Sequence, residues 1–127
     1  MPNVKKKILI VEDEAFLLDL YQAKLVKEGF EVVTCINGEE GIACVIDHSP
    51  DLILLDILMP KVDGFGLLEE IKKLPGTKKI PVIIFSNLSQ KEQIDKGLKL
   101  GAASYIVKTS VTPAQLAQKL KDFLKIK

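Results

Sequence analysis

Short apolar runs recur along this chain, and most are continuous rather than alternating: Ile8 to Val11, the valines within Glu31 to Cys35, Leu52 to Leu55, Val82 to Phe85, and Tyr105 to Val107. A run of four apolar residues without polar alternation reads as a strand covered on both faces. Each run is followed by a segment with helix signals. Five strand-then-helix units in 127 residues are too few for a closed eight-stranded barrel but suit an open parallel sheet with helices on both faces. Right-handed crossovers narrow this to a doubly wound α/β sandwich.

The helix signals differ in quality. The last is the sharpest: Thr112 as N-cap, Pro113 at N1 and Gln115 at N3, followed by Leu116, Leu120 and Phe123 on one stripe. Asn37, with Glu40 three residues on, reads as a second cap, and Asp63 before Gly64 as a third. The first helix, about Glu14 to Lys27, is blurred, because Leu18 and Leu25 lie off the stripe set by Phe16, Leu17 and Leu20.

Composition bounds the function. A hydrophobic fraction of 47% in 127 residues supports one core, so the expectation is a single domain over residues 1–127. The 18 basic residues are all lysines and nearly balance 17 acids. That argues against direct nucleic-acid binding and against wholesale binding to an anionic membrane. The apolar run near the N-terminus is too short for a signal peptide or membrane insertion, so a cytoplasmic setting is expected. Cys35 and Cys44 match no metal or redox spacing and read as small core or half-buried residues. His48 reads as a surface residue, and the Gly64-Phe65-Gly66 stretch lacks the third glycine of a dinucleotide fingerprint.

In an open parallel sheet, ligands bind at the carboxyl ends of the strands. The residues there are Glu12, Asp13 and Glu14 after the first run, Asp56 after the third, Ser86 and Asn87 after the fourth, and Lys108 after the fifth. Converging carboxylates repel unless a positive charge sits among them. Oxygen donors without a His or Cys cluster favour a hard cation, and two carboxylates with waters suit Mg2+. Lys108 and Ser86 add an ammonium and a hydroxyl, completing what a phosphoryl group needs. In this reading Asp56 is a nucleophile that gives an acyl phosphate. Mg2+ would be held by Asp13, Asp56 and a backbone carbonyl near Leu58.

Taken in order, "ILIVEDE", "DLILLDILMPKVDG", "VIIFSN" and "GAASYIVK" resemble the receiver domain of bacterial two-component response regulators, over about residues 5 to 125. The resemblance implies a five-stranded sheet in the flavodoxin-like order 2-1-3-4-5. It also implies a phosphoacceptor switch, with Asp56 taking a phosphoryl group from the phosphohistidine of a sensor histidine kinase or histidine phosphotransfer protein. Glu12 and Asp13 would hold Mg2+, Ser86 and Lys108 would contact phosphoryl oxygens, and the Asn87 backbone N–H would reach the same group. Tyr105 would turn inward as Ser86 moves. A downstream protein would bind through the fourth helix, fifth strand and fifth helix.

Two departures stand out. Thr109 follows Lys108 where the family usually has proline after a cis bond; without proline the cis form costs about 2.5–4 kcal/mol, so trans is expected. Leu58 and Leu88 occupy places where the family often carries polar groups, and apolar side chains there cannot orient a hydrolytic water. A long-lived phosphoryl group, with slow autodephosphorylation, is therefore expected, and the chain reads as a switch rather than a conventional enzyme. The rivals are weaker. A phosphoaspartate-forming hydrolase needs an acid at Leu58, and a flavodoxin-like cofactor binder would meet repulsion from Glu12, Asp13 and Glu14. The third is a receiver-like protein-binding module working without phosphorylation, and the intact Asp13, Asp56, Ser86 and Lys108 weigh against it.

Overall fold

A computed structural model describes residues 5–126. The five apolar runs form strands β1 (Lys7–Val11), β2 (Glu31–Cys35), β3 (Leu52–Leu55), β6 (Val82–Ser86) and β7 (Ser104–Val107) of one parallel sheet in the order β2-β1-β3-β6-β7. This is the doubly wound 2-1-3-4-5 arrangement expected, with the fifth sheet strand being β7. Register is continuous through the centre: Leu9 pairs with Ile53, and Ile53 with Val82.

Alternate residues of each strand supply two cores. Ile8, Ile10, Leu52, Leu54, Ile83 and Phe85 face α1 (Ala15–Lys27) and α5 (Pro113–Leu124). Leu9, Val11, Ile53, Leu55, Val82 and Ile84 face α2 (Gly41–His48) and α3 (Gly64–Lys73). Helix α4 (Lys91–Lys99) shares the second face, seated where Gly97 meets Ile84. Only Gly97 of α4 is buried, whereas α3 buries four residues.

The structure corrects several local expectations. The buried stripe of α1 is Leu18, Tyr21 and Leu25, while Phe16 is 79% exposed and Leu20 lies outside the core. Tyr21 makes the difference: its ring packs edge-on against Phe85 with centroids 4.9 Å apart, which turns Leu18 and Leu25 inward. In α5, Leu116 and Leu120 are buried as expected, but Ala117 rather than Phe123 completes the stripe. The capping box at Thr112 and Gln115 is fully formed, each side chain bonding the other's backbone N–H. Asn37 opens a 3-10 turn, Gly38–Glu40, ahead of α2, accepting from the Glu39 N–H. An unforeseen two-stranded hairpin, β4 (Leu58–Met59) with β5 (Val62–Asp63), links β3 to α3. Asp63 caps α3 by accepting from Phe65 N–H. Gly64 is required by close approach, since a Cβ there would collide with Ile57. Among the described residues no peptide bond is cis, so Lys108–Thr109 is trans.

Candidate functional site

The sheet's hydrogen-bond ladder runs one residue past the strand ends, and this fixes the acidic residues. Glu12 N–H donates to the Cys35 carbonyl, and Asp56 N–H to the Val11 carbonyl, both at 3.1 Å. Their side chains therefore leave the carboxyl edge from rigid backbone. Carboxylate oxygens of Glu12, Asp13 and Asp56 lie within 4.8 Å of one another. Glu12 and Asp56 are buried and Asp13 is half-buried on the solvent side.

Lys108 reaches this cluster from the edge strand β7, on the same face of the sheet. It opens a short 3-10 turn after β7; the residue is 8% exposed, and its ammonium donates to Glu12 Oε1 and, at 2.8 Å, to Asp56 Oδ2. The trans peptide to Thr109 is thus compatible with the expected placement. The second oxygen of each acid is also held: Glu14 N–H donates to Glu12 Oε2 at 3.1 Å, and Leu58 N–H to Asp56 Oδ1 at 2.9 Å.

Burial pushes the Glu12 carboxyl above its ordinary value, against the hydrogen bonds from Lys108 and Glu14, and the charge on Asp56 adds to the rise. For Lys108, burial lowers the pKa, but the hydrogen bonds and charges of Asp56 and Glu12 outweigh it, so the net shift is upward. Lys108 is therefore a fixed cation at neutral pH. Three carboxylates and one ammonium leave a net formal charge of −2, with oxygen the only donor atom type, and a hard dication balances it. The donor set fits Mg2+, held by Glu12, Asp13 and Asp56.

Ser86 ends β6 with no exposed surface, and its Oγ accepts from Leu88 N–H at 3.3 Å. The Leu88 carbonyl in turn accepts the Tyr105 hydroxyl. Ser86, Leu88 and Tyr105 thus form one chain of contacts from the end of β6 to β7. Burial, with the Asp56 charge, holds the Tyr105 phenol above its ordinary pKa. Asn87 follows Ser86 and is exposed, and the Leu58 side chain is 50% exposed on β4. The structure brings Glu12, Asp13, Asp56 and Lys108 into one cluster. Sequence reasoning missed the tether at Leu88, whose apolar side chain gives no hint that its backbone is used. His48 ends α2 on the surface, as expected.

The family model for the response regulator receiver domain matches residues 8–121. The chain belongs to this family. A receiver domain protein of the CheY-like type from Methanospirillum hungatei JF-1 superposes with a TM-score of 0.87 at 34% identity, covering 96% of this chain and 95% of that one. The phosphorylated cyanobacterial phytochrome response regulator RcpA superposes with a TM-score of 0.79 at 36% identity, covering 94% and 91%. Among curated relatives, the probable transcriptional regulator ycf27 of Porphyra purpurea is 35% identical over 125 residues, 98% of this chain but 50% of its own length. The chain spans about half the length of the curated relatives it matches. As a receiver domain it carries the acidic cluster in the position of the family's Mg2+ and phosphoaspartate site. Among the described residues no helix is long and apolar enough to cross a membrane.

Proposed function

We propose that Asp56 is the phosphoacceptor of a two-component switch. An Asp56 carboxylate oxygen attacks the phosphorus of a phosphohistidine on a sensor kinase or phosphotransfer protein. The P–N bond breaks, and the imidazole leaves with the electron pair and takes up a proton. The observation that carries this reading is the buried Lys108 ammonium bonded at once to Glu12 and Asp56, beside a third carboxylate. Bound Mg2+ supplies charge neutralisation for the incoming phosphoryl oxygens. Glu12, Asp13 and Asp56 would hold it, with the Leu58 carbonyl as a backbone ligand. Lys108 pairs with the remaining charge, and Ser86 Oγ and the Asn87 N–H donate to phosphoryl oxygens.

Output follows from the Ser86 chain of contacts. When the Ser86 hydroxyl turns to a phosphoryl oxygen, its bond from Leu88 N–H loosens, and the Leu88 carbonyl held by Tyr105 shifts with it. This reshapes the face formed by α4, β7 and α5, which we assign to the downstream protein. Residues 1–127 act as one receiver unit, without direct nucleic-acid contact, in a cytoplasmic setting.

Incubation with Mg2+ and acetyl phosphate, followed by intact-mass measurement, tests the assignment. Wild type should gain one phosphoryl group and Asp56→Asn none. A gain in both proteins, or in neither, overturns it, and the second outcome would favour a binding module that works unphosphorylated.

A further inference from the structure

Two side chains outside the acidic cluster are placed in direct contact although nothing in their spacing announces it. Cys35 is the last residue of β2 and is 4% exposed; Cys44 lies in the first turns of α2 and is half-buried. Both thiols are free, and their sulfurs stand 2.6 Å apart. A covalent sulfur–sulfur bond is about 2.03–2.05 Å, so joining them needs only a sub-ångström approach of the two sulfurs. Cys35 and Cys44 are buried and half-buried, as expected, and they also touch each other.

The pair is also asymmetric. Burial, together with the neighbouring Cys44, pushes the Cys35 thiol up to about 12. Cys35 also donates to the Asn37 carbonyl at 3.2 Å, facing into the protein. Cys44, half-buried on α2, is the more exposed of the two. Exchange chemistry needs one accessible attacking sulfur and a second sulfur within reach to resolve the mixed species.

We propose that Cys35 and Cys44 are a reversible modification site, oxidised to an intramolecular disulfide by small-molecule disulfides. Cys44, as thiolate, attacks one sulfur of the reagent. The reagent's S–S bond breaks, and one half leaves as a thiolate that takes up the proton Cys44 lost. Cys35 then gives up its proton and attacks the Cys44 sulfur, and the second half of the reagent departs as thiol. Two protein thiols and one small disulfide become one protein disulfide and two small thiols, with two electrons passed to the reagent. In reducing compartments such bonds are usually transient and redox-sensing.

The location gives the bond a consequence. The Cys35 carbonyl accepts the Glu12 N–H, so the staple would close one hydrogen bond away from the acidic cluster. It would also remove the S–H donor from the Asn37 carbonyl, where the turn into α2 begins.

Incubating the full chain with oxidised glutathione, alkylating the remaining thiols and mapping peptides without reduction tests the proposal. Wild type should lose two hydrogens, about 2 Da, resist alkylation, remain monomeric on a non-reducing gel, and revert with dithiothreitol. Cys35→Ser should accumulate a glutathione adduct on Cys44, whereas Cys44→Ser should stay unmodified over the same time. A wild-type protein that keeps a stable glutathione adduct, retains two alkylatable thiols, or links only between copies overturns the inference. None of these results depends on Asp56 chemistry.

Discussion

Replacing Lys108 with methionine removes the ammonium while keeping most of the apolar stem, and so isolates its electrostatic role. At the 2.8 Å separation from Asp56, direct attraction is roughly 6 kcal/mol at an effective dielectric of about 20. Desolvating both ions offsets much of this. Removing one partner of a buried pair costs about 3–5 kcal/mol, and Asp13 is half-buried, so water can relieve part of the exposed repulsion. We expect a loss of about 3 kcal/mol in chelator at pH 8, read as a lowered urea midpoint with unchanged slope. The pH dependence has a definite sign. Glu12 is already above its ordinary 4.5, and losing the Lys108 hydrogen bond raises it further. The folded state then binds that proton more tightly than the unfolded chain, so acidification through the raised pKa toward 4.5 narrows the gap to wild type. In wild type the Lys108 contribution is fully present below its ordinary 10.5 and lost only as pH rises through the higher folded value. A dication at hundredfold excess over its dissociation constant should restore about 2.7 kcal/mol. Equal midpoints in chelator at pH 8, or a gap that widens on acidification, would refute this reasoning.

Other expectations follow from the packing and the loops. Leu18→Ala should cost about 2–5 kcal/mol by leaving a cavity, whereas Phe16→Ala should stay within about 0.5 kcal/mol; matched urea titrations distinguish the two. Gly64→Ala should lose about 1–3 kcal/mol through overpacking, because the added methyl meets the Ile57 backbone, and it should also slow phosphorylation by shifting the turn after Asp56. Phosphorylated protein should persist well beyond seconds in a decay assay by intact mass, and Leu58→Asn should shorten that lifetime; loss within seconds in the wild type would contradict the role given to Leu58 and Leu88.

The sheet was legible because strands covered on both faces need unbroken apolar runs, and Leu52 to Leu55 or Val82 to Phe85 admit little else. The acidic edge was legible because a carboxylate such as Asp56, directly after such a run, has only the carboxyl end of the sheet to occupy. The inward face of α1 was not. Phe16, Leu17, Leu18, Leu20, Tyr21, Leu25 and Val26 place apolar groups nearly all around the helix, and periodicity alone cannot choose between stripes. Tertiary contact chose, through Tyr21 on Phe85. The β4–β5 hairpin has two residues per strand, too few to show alternation. The thiol contact was hidden for another reason: it depends on how the end of β2 meets α2, which no local pattern records. Likewise, Asn37 was legible as a cap, but not the type of turn it begins.

The shallow seating of α4 has a mechanical meaning. A helix that buries little besides one glycine gives up few apolar contacts when it slides or frays, and segments of that kind open at low free energy. Glu12 and Asp56 follow strands buried on both faces, whereas the helix beside Tyr105 buries only Gly97. A small local gain at the phosphorylated edge can therefore be spent almost wholly on motion at a distance, and amide exchange in α4 should outpace that in α3 even before any signal arrives.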